Sequence, residues 1–400
     1  MINALEVYRS LPRYVAARAV GNRLPGLLAG PIAPLRLVHR DAPRLPGGRD
    51  GNAAGWVRVR PRLSGICGSD LATLHGHTSL YFTPLVSMPF VPGHEVVGET
   101  LDDAPDLPAG SRVVLDPILA CAARGLEPCD ACLGGMRNRC NRVTVGHVSP
   151  GLQTGFCTDT GGGWSGQLVA HVSQLHAIPD DLPDERAVLV EPLACAVHAA
   201  RRADVASGDN VLVVGAGAVG LFLTLALREL TPATRITVVA KHRRQAELAQ
   251  QFGATDVVAP AEVVGGVRRS TRALRLEPER GSAYLLGGVD VAIDAVGSRS
   301  TIDTALRTTR AGGRVLLAGM PAEPVDLTPA WFRELEVTGA YATGGDAFDV
   351  AMSIAAEAPL DGLLGVTYPL DRWREALDHA GQAGRLGTVK VAFDMRRTAA

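Results

Sequence analysis

Residues 211–220 constrain the fold of this chain more than any other part of its sequence. The apolar run Val211–Val214 reads as a buried strand, and a glycine-rich turn and an apolar helix follow it directly. The turn has the spacing G-x-G-x-x-G, with glycines at Gly215, Gly217 and Gly220. In such a unit the first glycine permits the tight turn, the second lets a pyrophosphate approach, and the third lets helix and strand pack closely. The segment therefore predicts a dinucleotide site at a helix N-terminus.

Apolar segments beyond this turn alternate between strands and helices. Helices are predicted at 221–230 and 245–252, and strands at 236–240, 289–295 and 314–318. Strands that alternate with helices predict an α/β fold with a parallel, doubly wound sheet. Residues 193–339 are therefore predicted to form a Rossmann dinucleotide domain.

The sequence on either side of this domain is rich in loops and short strands. Trp56–Arg60 alternates between apolar and charged residues, and residues 90–99 read as a glycine-punctuated strand. We expect residues 1–192 and 340–400 to build one β-rich catalytic domain from both ends of the chain. Residues 1–55, rich in Arg, Pro and Gly, are expected to be partly irregular.

Charge and composition narrow the class of function. The formal net charge of −1 gives no long-range attraction to nucleic acid or to a membrane surface, so a small-molecule substrate is expected. Arginine supplies almost all the positive charge, and lysine occurs only at Lys241 and Lys390. Glycines interrupt the apolar run 211–227, so a strand–turn–helix explains it better than a membrane span.

The N-terminus has no secretory pattern, so we expect a cytoplasmic protein. In a reducing compartment the seven cysteines should bind metal where they cluster, rather than form disulfides.

The end of the strand after the glycine turn bears on the choice of dinucleotide. An NAD site usually has Asp or Glu there to bind the ribose 2′-hydroxyl. Here Ala240 is followed by Lys241, Arg243 and Arg244. Without the carboxylate a 2′-phosphate is not repelled, and the cations offer it partners. We therefore predict that the protein binds NADP in preference to NAD. The alternative is that these charged residues belong to the solvent-exposed start of a helix and do not bind the cofactor.

Three distant segments carry residues suited to an open zinc site: Cys67, the pair His94-Glu95, and Glu191. Zinc takes sulfur, nitrogen and oxygen ligands in a tetrahedron, and a catalytic site keeps one position exchangeable. The Cys67 thiolate and the His94 imidazole could be the permanent ligands. A carboxylate from either Glu95 or Glu191 could complete the shell and yield to substrate.

A second cysteine cluster follows on a segment dense in glycine and arginine. Its members have the spacing C-x7-C-x2-C-x7-C and are Cys121, Cys129, Cys132 and Cys140. Such a loop has little apolar content, and a closed four-thiolate zinc site would supply the missing order. Partly free thiols are the alternative. Cys157 and Cys195 are expected to pack without binding metal.

In order and separation these segments resemble the zinc-containing medium-chain dehydrogenase family, over nearly the whole chain from about Trp56 to Val391. The matching stretches are 65–70, 93–98, the cysteine cluster, 191–198, 215–220 and 294–297. The resemblance implies a GroES-like catalytic domain beside a Rossmann domain. It also implies an NAD(P)-dependent alcohol dehydrogenase, commonly a homodimer or homotetramer, acting on a secondary alcohol, polyol or amino alcohol, or on the corresponding ketone.

The resemblance also assigns the metal ligands. Cys67, His94 and Glu191 are the expected ligands of the catalytic zinc, and Glu95 is a carboxylate that alternates with them or supports them. Glutamate rather than cysteine at position 191 resembles the polyol, sugar and amino-alcohol branch of the family. The family's structural cysteine lobe has C-x2-C-x2-C-x7-C, but Leu126 occupies the expected first position here, so Cys121 would have to reach in from a longer loop.

By the same resemblance Ser69 takes the proton of the alcohol, and Asp70 orients the ring of the histidine ligand. The family often has a relay histidine three residues after the serine, where this chain has Ala72. His75 or His77 could substitute, although each also reads as an ordinary loop residue.

Further cofactor contacts are expected from Val219 in the glycine turn, and from Val296 and Gly319 at the ends of later strands. A turn that only packs in the core would have the same sequence at Val296 and Gly319, so for these two residues both explanations stay open.

Two other classes of protein carry part of this pattern. A zinc-free reductase of alkenes or quinones has no need of Cys67, His94 and Glu191. A non-catalytic, nucleotide-binding redox sensor needs the cysteine lobe but not an open zinc site. The joint presence of all these residues favours the dehydrogenase.

Overall fold

A computed structural model describes residues 1–20, 32–47 and 55–397 of the chain. These divide into two compact units. The first unit comprises residues 1–191, 343–383 and 390–400, and the second comprises residues 192–342 and 384–389. The return of residues 384–389 to the second unit was not expected from the sequence.

The described residues contain seventeen strands and twelve α-helices. The strands are β1 (Ile2–Val7), β2 (Leu35–Arg40), β3 (Trp56–Gly65), β4 (Val96–Thr100), β5 (Arg112–Leu115), β6 (Leu168–His171), β7 (Leu175–Ala177), β8 (Asn210–Val214), β9 (Arg235–Val239), β10 (Asp256–Val258), β11 (Leu274–Leu276), β12 (Tyr284–Leu286), β13 (Val289–Asp294), β14 (Thr309–Leu317), β15 (Glu336–Gly339), β16 (Leu364–Tyr368) and β17 (Lys390–Asp394). The helices are α1 (Leu11–Val20), α2 (Gly68–Leu74), α3 (Asp130–Leu133), α4 (Asp184–Ala187), α5 (Val190–Arg202), α6 (Ala218–Leu230), α7 (Arg243–Gln251), α8 (Val263–Thr271), α9 (Arg299–Thr308), α10 (Thr328–Arg333), α11 (Ala347–Glu357) and α12 (Trp373–Gln382).

The first unit is built on a seven-stranded sheet in the order β16-β17-β3-β4-β5-β7, with β6 also paired to β3. Only β16 and β17 pair in parallel; the other pairs are antiparallel. In β3 the side chains of Val57 and Val59 are buried while Arg58 and Arg60 are exposed, because successive residues of a strand face opposite sides. The β-rich catalytic part was predicted from this alternation.

The N-terminal residues are built into the first unit. β1 pairs antiparallel with β2, and the amide of Leu5 donates to the carbonyl of Trp164 at 3.0 Å. Part of the segment expected to be irregular, residues 21–31 and 48–54, lies outside the described residues.

The second unit contains a parallel sheet of six strands in the order β10-β9-β8-β13-β14-β15. The order reverses between β8 and β13, as in a doubly wound sheet, so the predicted fold class is confirmed. β11 and β12 form a separate antiparallel hairpin. The apolar run 211–227 is divided between β8 and α6, and the described residues include no helix long and apolar enough to cross a bilayer.

The glycine turn has the geometry expected of a phosphate-binding loop. Gly215 has a φ of +106°, and a Cβ at Gly220 would lie 1.9 Å from the carbonyl oxygen of Gly215. A Cβ at Gly217 would meet nothing within 4 Å, so the turn is open where a ligand would approach. Gly217 is the N-cap of α6.

Candidate active site

Cys67, His94 and Glu95 come together at one end of the β3–β4 ladder. One ligand atom from each lies within 4.8 Å of the other two. Cys67 follows β3 and caps α2, while His94 and Glu95 precede β4. Because β3 and β4 are antiparallel, the residues after one strand and before the other meet at the same edge. A thiolate, an imidazole and a carboxylate form a donor set that suits zinc.

Asp70 lies behind the histidine of this cluster. One of its carboxylate oxygens accepts a hydrogen bond from the amide of Cys67 at 2.9 Å, and the other lies 3.5 Å from Nδ1 of His94. His94 and Asp70 are both buried. Burial lowers the pKa of His94, but Asp70 and Cys67 outweigh it and raise the pKa well above its ordinary value. Asp70 therefore lies where it could orient the imidazole, and its role as the orienting residue stays a prediction.

Lys390 completes the buried charges of the cluster and was missed by the sequence analysis. Its ammonium forms an ion pair with Glu95, and only 4% of Lys390 and 1% of Glu95 are exposed. Burial lowers the pKa of Lys390, but the charges of Glu95, Cys67 and Glu191 raise it above its ordinary value. The ammonium therefore stays charged. The signal was the rarity of lysine in a chain whose basic residues are otherwise arginine.

Glu191 does not belong to this set of close ligand atoms. It is buried in the first turn of α5, and its charge acts on Lys390. The carboxylate that the structure places beside Cys67 and His94 is therefore that of Glu95. The assignment of Glu191 as a zinc ligand stays a prediction.

Ser69 is half-buried in the first turn of α2, two residues after Cys67. Ala72, one turn further along, has no group that could move a proton. Burial and the neighbouring His77 lower the pKa of His75 to about 4, so His75 is neutral at pH 7. The ring centroids of His75 and His77 are 6.2 Å apart.

The cysteine lobe brings its four thiols together. The sulfur atoms of Cys121, Cys129, Cys132 and Cys140 all lie within 4.8 Å of one another. Cys121 therefore occupies the place that the family's spacing would give to residue 126. None of the seven cysteines, all of which are described, is in a disulfide, and neither Cys157 nor Cys195 belongs to a metal-binding set in the part of the chain that the structure describes.

Arg124 holds the lobe together and was also missed by the sequence analysis. It is fully buried, and its guanidinium donates to carbonyls of four surrounding loop residues at 2.6–3.1 Å, those of Leu119, Val145, Val148 and Gly151. A loop with little apolar content is thus ordered by one cation and four clustered thiols. Nothing in the local sequence distinguishes Arg124 from the other arginines of this segment.

The residues predicted to bind the dinucleotide all lie in the second unit. Val296 and Gly319 follow β13 and β14; β13 pairs with β8, and β14 pairs with β13. A Cβ at Gly215 would lie 2.4 Å from Val296, and one at Gly319 would lie 2.4 Å from the carbonyl carbon of Val296. These positions therefore gather at the carboxyl ends of the strands, beside the turn that contains Val219 and Gly220.

The cationic residues that predict a preference for NADP follow β9, the strand next to β8 in the sheet. Ala240 and Lys241 come directly after it, and Arg243 and Arg244 begin α7. The guanidinium of Arg243 lies 2.9 Å from the carboxylate of Glu247, and that of Arg244 lies 3.6 Å from it.

The chain is similar to a large group of known dehydrogenases. Residues 53–180 match the alcohol dehydrogenase GroES-like domain, and residues 218–357 match the zinc-binding dehydrogenase family model. L-Idonate 5-dehydrogenase from Vitis vinifera is 34% identical over 292 residues, which cover 71% of this chain and 73% of that relative. Sorbitol dehydrogenase from Arabidopsis thaliana is 33% identical over 290 residues, with 71% and 73% covered.

Solved structures show the same fold. A zinc-binding dehydrogenase from Sinorhizobium meliloti 1021, bound to NADP, matches with a TM-score of 0.71 at 24% identity. The match covers 98% of this chain and 99% of that one. With the GroES-like match, this likeness confirms both parts of the predicted fold.

The four-thiol cluster predicts the metal content of the protein. We expect elemental analysis of the purified chain to give about two zinc ions, one in each cluster. The double variant Cys129→Ser/Cys132→Ser should retain about one. Cys157→Ser, which changes a buried thiol outside the cluster, is the matched control and should keep the full content. A wild-type content of one that the double variant leaves unchanged would contradict a zinc site in the lobe.

The ion pair between Lys390 and Glu95 predicts a stability effect. Lys390→Met leaves the Glu95 carboxylate buried without its cation, so the free energy of unfolding of the metal-free protein should fall by about 3–5 kcal/mol. Urea denaturation at pH 7 measures this change. Lys390→Met/Glu95→Gln removes both charges and should recover most of the loss. Equal destabilisation of the single and double variants would show that the unpaired carboxylate is not the cause.

Proposed function

The chain belongs to the zinc-containing medium-chain dehydrogenase family, and from that premise we propose that it interconverts a polyol and the corresponding ketose or keto acid, with NADP as the hydride carrier. As a member of this family it is a zinc-dependent oxidoreductase that acts on alcohols with a nicotinamide dinucleotide. The observation that carries the proposal is the convergence of Cys67, His94 and Glu95. A zinc-free reductase would not need this cluster, and a redox sensor would need only the cysteine lobe.

The relatives support the choice of substrate class. The two plant relatives are named for L-idonate and sorbitol, which are both polyhydroxylated chains oxidised at a secondary alcohol. Position 191 supports the same class, because glutamate rather than cysteine there resembles the polyol, sugar and amino-alcohol branch of the family. An amino alcohol is the second candidate on the same ground.

The residues of the cluster fit a catalytic zinc ion. Cys67 and His94 would hold it, with a carboxylate from Glu95 or Glu191. When bound, the metal lowers the pKa of a coordinated alcohol, so that an alkoxide exists near neutral pH. Asp70 orients the ring of His94. Lys390 neutralises Glu95, so the carboxylate can stay ionised in a buried position without a second negative charge accumulating beside the Cys67 thiolate.

Ser69 is the proposed acceptor of the alcohol proton, since its hydroxyl lies in the first turn of α2, close in sequence to Cys67. The pKa of His75 is lowered to about 4, so its ring is neutral at pH 7 and would hold a relayed proton only transiently, whereas Ala72 has no group that could take one.

The proposed preference for NADP rests on the sequence after β9. Ala240 leaves the ribose without a carboxylate partner, and Arg243 and Arg244 place two guanidinium groups at the start of α7.

Turnover by the full-length, zinc-loaded protein tests the function. We expect a panel of polyols, sugar acids and amino alcohols to include a substrate that reduces NADP with a higher kcat/KM than NAD. Cys67→Ser should lower kcat/KM at least about a hundredfold, because the loss of a ligand removes the stabilised alkoxide. Its circular dichroism spectrum and NADPH binding should not change. Full activity in Cys67→Ser would exclude the zinc mechanism, whereas a preference for NAD would overturn only the cofactor assignment.

We also infer that the protein is a homo-oligomer, and we place it in the cytoplasm as the sequence predicted. β15 is the last strand in the order of the six-stranded sheet, and α10 precedes it in the chain. In α10 the side chains of Trp331 and Phe332 are exposed by 81% and 65%. Large exposed aromatic side chains beside a sheet edge are typical of a surface covered by another copy.

Light scattering coupled to size exclusion tests the oligomer. The wild-type protein should elute as a dimer or tetramer, and Trp331→Glu/Phe332→Lys should dissociate it, because charged groups cannot be buried unpaired at an apolar contact. Leu274→Glu, which changes another exposed apolar residue of the same unit, is the control and should leave the mass unchanged. A monomeric wild-type protein would overturn the inference.

A further inference from the structure

The second unit contains a cavity of about 450 Å³ at the start of α7. Its lining comes from two segments that are far apart in the chain, and consists of His242, Arg243, Arg244 and Glu247, with Gly384, Arg385, Leu386 and Gly387. The second segment follows α12 of the first unit but belongs to the second unit itself. Cofactor-site residues were predicted only from the first of these segments.

The segment 384–387 is packed closely against the start of the helix. A Cβ at Gly384 would lie 2.5 Å from Cδ2 of His242 and 3.1 Å from Nε2 of Gln245, so the backbone at position 384 packs directly against these two side chains. Arg385, the next residue, lines the same cavity as Arg243 and Arg244.

The three arginines of the cavity differ in their partners. Arg243 and Arg244 both lie beside the carboxylate of Glu247. Arg385 is exposed and makes no hydrogen bond or ion pair with any residue in the described ranges. Three guanidinium groups and a single carboxylate thus line the cavity, so Glu247 leaves two positive charges unneutralised, and Arg385 carries one of them.

We propose that Arg385 is a specificity-determining residue that binds the 2′-phosphate of NADP together with Arg243 and Arg244. The proposal rests on the proposed function, because only a dinucleotide bound at the glycine turn places its adenosine ribose at the end of β9, where Ala240 lies. A phosphate monoester is a dianion with three acceptor oxygens, and guanidinium groups bind it in bidentate geometry. NAD has a hydroxyl group at this position and gains little from Arg385.

Binding of cofactors and of their adenosine fragments to the full-length, zinc-loaded protein tests the proposal. Arg385→Ala is compared with Arg280→Ala, which removes another exposed arginine of the second unit that has no partner among the described residues. Fluorescence titration gives the dissociation constants of NADPH and NADH, and competition gives those of 2′,5′-ADP and 5′-AMP.

We expect Arg385→Ala to weaken NADPH and 2′,5′-ADP about tenfold, and to leave NADH and 5′-AMP within about twofold, because only the first two carry the 2′-phosphate. Arg385→Lys should retain part of the affinity, since it keeps the charge but not the bidentate geometry. Arg280→Ala should bind all four ligands as the wild type does.

The outcomes separate this inference from the proposed function. If the wild type prefers 2′,5′-ADP to 5′-AMP but Arg385→Ala binds both as the wild type does, the role of Arg385 is overturned and the NADP preference stands. Equal weakening of NADPH and NADH also overturns it, because the residue would then act on the shared part of the cofactor. If the wild type shows no preference for 2′,5′-ADP, this inference and the NADP preference fall together, while the zinc chemistry is judged separately by Cys67→Ser.

Discussion

The ion pair between Glu95 and Lys390 is the interaction on which the candidate active site depends. A carboxylate and an ammonium that are almost fully buried are each too costly to keep charged without the other. Their pairing ties the residue before β4 to the first residue of β17, at opposite ends of the chain. Because β17 pairs with β3, which leads to Cys67, the C-terminal strand supplies the cation that balances the metal-binding cluster. The site therefore cannot form before the last strand of the first unit has been added.

The choice of lysine at position 390 follows from the same geometry. Arginine supplies nearly all the positive charge of this protein, so lysine there is a departure from its general composition. A guanidinium is planar and spreads its donors over a wide fork, whereas an ammonium is compact and fits a confined site beside one carboxylate. In contrast, Arg124 is surrounded by four backbone carbonyls, and the several N–H donors of its guanidinium bind all four.

The parts of this protein that the sequence predicted are those with a local period or a fixed spacing. The strand, turn and helix around Gly215 could be recognised because all three glycines have steric roles and lie within ten residues of one another. Cys67, His94 and the four lobe cysteines could be recognised because zinc accepts few residue types. Residues that come together from distant parts of the chain have no fixed spacing by which the sequence could identify them. Lys390 pairs with Glu95 and Arg385 lines a cavity with Arg243 and Arg244, in each case more than a hundred positions away in the chain. The choice between Glu95 and Glu191 depends on which carboxylate the packing brings near the thiol.

The division of the chain bears on how proteins of this kind exchange parts. The polypeptide passes between the two units at four peptide bonds, after residues 191, 342, 383 and 389. Recombination that replaced only residues 192–342 would transfer the glycine turn and the arginines of α7. The six-residue segment 384–389, which contains Arg385, would not be transferred. A cofactor preference encoded on both segments would be inherited incompletely, so the short C-terminal segment and α7 would have to be exchanged together to transfer it.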